Sequence, residues 1–183
     1  MESNAADVAP LQSTMTFWSL GKSMRILAMS VLLASAPAFS ATLLSVPKDA
    51  CAAMASQSLT TQTWHDTGDG EFWCSTPYRD LGVGTPQANN VAYYAAGNAN
   101  SVSRVWMVLN VNQKGQGAAA QRELARLAEV LSQKATGRGL PAAAMSAIEA
   151  GRPVRTKVGG ASLSVVRSDW PTGRGYEIKV TFN

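Results

Sequence analysis

The sequence predicts an α+β domain built on one mainly antiparallel sheet, with one long and two short helices packed on one face. Three observations carry this. Tyr176, Ile178, Val180 and Phe182 alternate with Glu177, Lys179 and Thr181, the period of a half-buried strand. Leu124, Leu127, Ala128 and Leu131 repeat at helical spacing, with Arg122, Glu123, Arg126, Glu129 and Gln133 off that stripe. The connections between strands are short and rich in turn residues, which favours hairpins over crossovers and hence antiparallel pairing.

In chain order, Val46–Ser58 reads as a short helix. Pro47 suits its first turn, and Cys51, Met54 and Ala55 share one face. Thr60–Thr76 reads as a hairpin whose turn is Asp69-Gly70. Leu81–Asn90, LGVGTPQANN, reads as a loop, Val91–Ala96 as a strand and Gly97–Asn100 as a turn. Val102–Asn112 is the longest expected strand. Val105, Met107, Leu109 and Val111 form one of its faces, and Trp106, Val108 and Asn110 form the other.

Ala118–Thr136 is the long helix, closed by Gly137, and Pro141–Ala150 is a second short one, stopped by Gly151. Val154–Val158 and Ala161–Ser168 flank a Gly159-Gly160 turn. Trp170–Gly175 is then the loop that leads into the last strand. Leu124, Leu127 and Leu131 are expected to pack on Val105, Met107, Leu109, Ile178 and Val180.

Ahead of this domain, Lys22 and Arg25 precede an apolar run, Ile26–Ala36. Pro37 and small residues follow, in the order of a secretory signal peptide over residues 24–40. Cleavage is expected near Phe39–Thr42. Residues 1–23 read as an upstream or disordered extension, and residues 42–183 as a single exported domain, periplasmic or secreted. Contact with a membrane follows only if the signal segment is kept as an anchor. Cys51 and Cys74 are the only cysteines. In an exported chain such a pair reads as one disulfide, here tying the first helix to the hairpin.

The charge balance excludes one large class of partner. The net charge is +4, and Lys22 and Arg25 are offset by Glu2 and Asp7, so the domain carries all of it. The basic residues are scattered, whereas nucleic-acid binding needs a clustered basic patch. No cofactor motif appears. The pairs Gly82/Gly84, Gly115/Gly117 and Gly173/Gly175 lack the continuation of a phosphate-binding loop. The stretch Trp73–Tyr78, WCSTPY, lacks the second cysteine of a redox motif. One histidine and a few turn acids have no metal-ligand spacing.

Two readings of function follow from different residues. A catalytic reading, a small periplasmic hydrolase, rests on His65 with Asp66, Asp69 or Glu71 as partner carboxylates. The binding reading is better supported, because no nucleophile, base and oxyanion site assemble from the motifs. It is an exported, non-catalytic interaction protein whose ligand is a protein or an envelope component; apart from both stands a third reading, a structural or accessory subunit of an envelope assembly, which a retained signal anchor would favour. The expected contact residues are Trp106, Trp170, Arg104 and Arg174, since Trp and Arg dominate interface energetics. Trp106 is expected to stand away from the aliphatic core face, open to a partner unless the Pro141–Ala150 helix covers it. Trp170 is expected at a loop tip.

Overall fold

The structure, a computed structural model, describes residues 45–183. Residues 1–23 and 24–40, expected to be an extension and a signal peptide, lie outside the described residues. What is described falls within one compact unit, Ala38–Asn183.

Eight strands form one sheet: β1 (His65–Asp66), β2 (Phe72–Ser75), β3 (Arg79–Leu81), β4 (Asn89–Gly97), β5 (Val102–Val111), β6 (Val154–Val158), β7 (Ala161–Asp169) and β8 (Tyr176–Phe182). Their order is β1-β2-β4-β5-β8-β7-β6, and β3 pairs with β4 as well. Every pairing is antiparallel. Three α-helices, α1 (Pro47–Ala52), α2 (Gly117–Thr136) and α3 (Ala142–Glu149), complete the α+β domain. The expected fold class is what forms.

Alternation along the strands divides the sheet into two chemically different faces. Val91, Tyr93 and Ala95 of β4, Val105, Met107 and Leu109 of β5, and Ile178, Val180 and Phe182 of β8 are all fully buried. They pack with Leu124, Leu127 and Leu131 of α2 in one core, as the helix stripe and the strand period require. Helix α3 extends this layer over β6 and β7. Tyr93 is anchored at its tip, where its hydroxyl donates to the Ala50 carbonyl at 2.8 Å, and burial pushes its phenol above the ordinary range.

Helix α1 is shorter than its pattern. It ends at Ala52, and a 3-10 turn, Ala55–Gln57, follows. Ser58 closes this run in the left-handed region at φ 58°, with Leu59 turning back to bond the Met54 carbonyl. Cys51 on α1 is bonded to Cys74 on β2, with Cα atoms 6.0 Å apart. The helix has no side-chain cap at its start, and the crosslink adds to the Tyr93 bond and the burial of Ala50 and Met54 that hold it. Replacing both cysteines by Ser is expected to cost about 3 kcal/mol, the loop-closure entropy of a loop of this size. Denaturant melts of the two proteins measure it, and unchanged stability would show that the tether is dispensable.

The stretch read as a loop, Leu81–Asn90, is partly sheet. β3 and β2 share one edge of β4: Arg79–Leu81 pair with Asn89–Val91, and Phe72–Ser75 with Tyr94–Gly97. Asn89 and Asn90 hid this, because Asn is depleted in strands. Here both are buried and bonded: Asn89 Oδ1 accepts from the Gln113 amide at 2.7 Å, and Asn90 Oδ1 accepts from Asn110 Nδ2 at 3.0 Å.

Arg79 also holds the first turns of α2. It and Arg126 converge on Glu123, at 2.9 and 2.8 Å. Hydrogen bonds from Arg126 and then Arg79 hold the Glu123 carboxyl down at about 2. Depression of a carboxylate gives stability that is complete above its unfolded value of about 4.5 and lost as the pH falls toward 2. The group is partly exposed, so solvent screening limits the effect to about 1 kcal/mol. Glu123→Gln is expected to flatten the acid limb of the stability curve in that window by removing about 1 kcal/mol at pH 7 while changing stability little near pH 2. An unchanged acid limb would contradict the assignment.

Candidate binding site: a loop cleft beside a closed aromatic row

The sheet face opposite the helices carries an aromatic row across three neighbouring strands and the edge. His65 meets Trp73 edge-on with ring centroids 6.3 Å apart, Trp73 stacks on Tyr94 at 6.1 Å, and Tyr94 stacks on Trp106 at 5.0 Å with planes 5° apart. Register explains the row, since Tyr94 lies directly across from Trp106 and His65 across from Trp73. Cations close its other end. Arg104 and Lys179 each stand 5.2 Å from the Trp106 ring.

Trp106 therefore points away from the aliphatic core, as its strand parity requires, but it is not open. It is 8% exposed. The cover is not the Pro141–Ala150 helix, which lies on the opposite layer, but the side chains of Tyr94, Arg104 and Lys179. Arg104 is engaged as well, through an ion pair with Glu71 at 2.5 Å. The ring faces that would grip a partner already grip each other.

His65 is held at both ring nitrogens. Nε2 accepts from the Trp73 indole N–H at 3.0 Å, and Nδ1 lies 2.8 Å from the Thr63 carbonyl. An acceptor at Nε2 and a carbonyl at Nδ1 define the neutral Nδ1–H tautomer. Neither nitrogen is left to take a proton from a substrate. The neighbouring acids form the turn. Asp66 accepts from the Gly68 amide at 2.8 Å, and Asp69 accepts from Thr67 Oγ1 at 2.5 Å and from the Glu71 amide at 3.0 Å. The Thr67 bond, then that amide, hold the Asp69 carboxyl below its ordinary value, opposite to what a general acid requires. Among the described residues no three of His, Cys, Asp and Glu gather as a metal site.

Trp170 and Arg174 come together elsewhere. They line a cleft of about 230 Å³ with Pro86, Gln87, Asn112, Gln113 and Thr172. It lies at the far end of β5, some six residues or about 20 Å along the strand from Trp106. Two loops frame it, and both are tied down. In the β7–β8 loop the Trp170 amide donates to the Gly175 carbonyl, the Gly173 amide donates to the Trp170 carbonyl, and Lys114 Nζ donates to the Gly173 carbonyl at 2.6 Å. In the 82–88 loop, which contains the cis Thr85–Pro86 bond, Gln113 Nε2 donates to the carbonyls of Thr85 and Gln87, Gln116 to that of Val83, and Asn112 to that of Ala88.

Gly175 sets the place of the Trp170 ring. A Cβ at 175 would collide with that ring and with the Val111 carbonyl oxygen, so the indole rests directly on the glycine. Unlike Trp106, Trp170 is half-buried and has no stacking partner or indole hydrogen bond among the described residues. Arg174 is exposed and has no ion pair among the described residues.

Sequence patterns singled out Trp170 and Arg174 but missed the amides that complete the cleft. Their signal was the pairing of two amide-rich stretches, Gln87–Asn90 and Asn110–Gln113, at facing strand ends. A second, larger groove of about 500 Å³ runs between α1 and residues 60–64, walled by Pro47, Cys51, Ala52, Ala55 and Trp64. It is almost wholly apolar.

The fold and cleft define a disulfide-stapled sheet domain with helices on one side and, among the described residues, side chains alone on the other. Residues 12–171 match the model of a family described as a family of unknown function (DUF6030), and the chain belongs to that family. The match spans the described domain as far as the loop that holds Trp170. No curated protein and no solved structure matches the chain.

Proposed function

We propose that the protein is exported and acts as a non-catalytic binding domain for an envelope component, with the Trp170–Arg174 cleft as its contact site. The observation that carries the reading is the contrast between two sets of residues. The side chains a hydrolase would use, His65 and the acids beside it, are engaged with other side chains, Trp73, Thr67 and Arg104, and with the backbone. Trp170 and Arg174 share a framed cleft and are free. Export is supported by the signal-like order of residues 24–40 and by the Cys51–Cys74 disulfide, a bond that persists in oxidising compartments. Among the described residues no helix is long and apolar enough to cross a membrane.

Expression of the full chain in a Gram-negative host, followed by fractionation and N-terminal sequencing, tests the export half. The expected product starts between residues 39 and 42. An intact Met24 on membrane-bound protein would contradict it. Co-sedimentation of that product with purified cell envelopes tests the binding half. Trp170→Ala with Arg174→Gln is expected to abolish it and His65→Ala to leave it intact. The reverse pattern would return the site to His65.

A further inference from the structure

We infer that the Trp170–Arg174 cleft takes one ring of an acidic saccharide, with the Arg174 guanidinium on the carboxylate and the Trp170 indole under the sugar face. The inference deepens the binding reading above and rests on it.

The class of ligand follows from which groups around the cleft are still free. Five carbonyls of the framing loops are occupied: those of Thr85 and Gln87 by Gln113, that of Val83 by Gln116, that of Ala88 by Asn112 and that of Gly173 by Lys114. An extended peptide adding as a strand would have to do without them. The side chains of the cleft are the more open groups. Asn112 and Gln113 use their amide nitrogens on the loops, which leaves Oδ1 and Oε1 without a protein donor. Among the described residues the Gln87 side chain is unpaired in the same way, and the Trp170 indole N–H has no acceptor. An aromatic ring beside several solvent-accessible amide groups suits a ligand with an apolar C–H face and a rim of hydroxyls, which is a pyranose.

Size and charge narrow it further. About 230 Å³ is below the ~300–1,000 Å³ of sites for drug-sized ligands. One sugar ring fits, with the rest of a polymer running out into solvent. Arg174 is the unpaired cation at the mouth, and its planar fork matches a carboxylate through two parallel hydrogen bonds. Beside it in sequence, Arg167 pairs with Asp169 at 2.7 Å, and Lys114, whose Nζ donates to the Gly173 carbonyl, adds positive charge near Asp169. A neutral sugar would leave that guanidinium without its counter-charge.

Isothermal titration of the mature chain with oligogalacturonates, beside cello-oligosaccharides of equal length, tests this. The acidic series is expected to bind and the neutral series to bind at least tenfold more weakly. Trp170→Ala is expected to weaken the acidic series at least tenfold, and Trp170→Tyr, which keeps a ring, to restore most of it. Arg174→Gln is expected to bring the acidic series down to the neutral level. Arg155→Gln, at an exposed arginine on β6, is expected to change nothing. Equal binding of both series, binding that survives Trp170→Ala, or equal losses from Arg155→Gln and Arg174→Gln would each overturn the inference. So would the absence of binding by both series. If envelope co-sedimentation still depends on Trp170 in that last case, the cleft remains the contact site and its ligand is a protein. If co-sedimentation is absent too, the binding reading falls with the inference.

Discussion

Trp106→Ala is expected to destabilise the domain by about 3–5 kcal/mol, the range for removing a large buried aromatic side chain. The ring is 8% exposed, stacked on Tyr94 and capped by two cations. Its loss opens the outer sheet face above Val108 and Ala96, the other buried members of that cluster. It also leaves Arg104 and Lys179 without their aromatic partner. Such a loss is comparable with the whole stability of a small domain, roughly 5–15 kcal/mol. Trp106→Phe separates stability from binding, because it keeps an aromatic in the row and is expected to hold most of the stability. Urea unfolding of the two variants measures both, and a change within about 0.5 kcal/mol for Trp106→Ala would mean that the row is a free surface.

Leu127→Ala is the counterpart on the opposite face, with an expected cost of about 2–5 kcal/mol. Leu127 is fully buried, as are Leu124 and Leu131 on the same stripe. These three residues seat α2 on β4, β5 and β8. The size of the loss within that range reports how far the helix can settle into the space. Leu124→Ala is expected to behave alike, since it occupies the same row one turn earlier. A surface-like response from either would place the helix on another face.

Patterns of period 2 and period 3.6 were readable along the chain, and they placed β4, β5, β8 and α2 almost to the residue. Glycine and proline punctuation placed α3 and the β6–β7 hairpin, and the two cysteines placed α1 against β2. What escaped was structure whose warrant lies in a distant partner. β3 is three residues long and exists because β4 offers an edge beyond the end of β2. Asn89 and Asn90 look like loop residues until Gln113 and Asn110, twenty-four and twenty positions later, supply their hydrogen bonds.

The site was half legible for the same reason. Residue type marked the four candidates Trp106, Arg104, Trp170 and Arg174, and strand parity placed Trp106 off the main core. Parity does not say what covers a face. Tyr94 covers Trp106 because of a register between two strands, and Glu71 reaches Arg104 from the far side of a turn. Trp170 and Arg174 have no such neighbours, and their cleft depends on amides from two segments that only the fold brings together.

Amide chemical-shift mapping of the isotopically labelled mature chain, titrated with solubilised envelope polysaccharide, tests the central claim most directly. The account predicts that the perturbed amides cluster at residues 84–88, 112–113 and 170–175, with the indole N–H of Trp170 shifting and that of Trp106 unmoved. Perturbations centred on residues 65–71, or on the groove between α1 and residues 60–64, would contradict it.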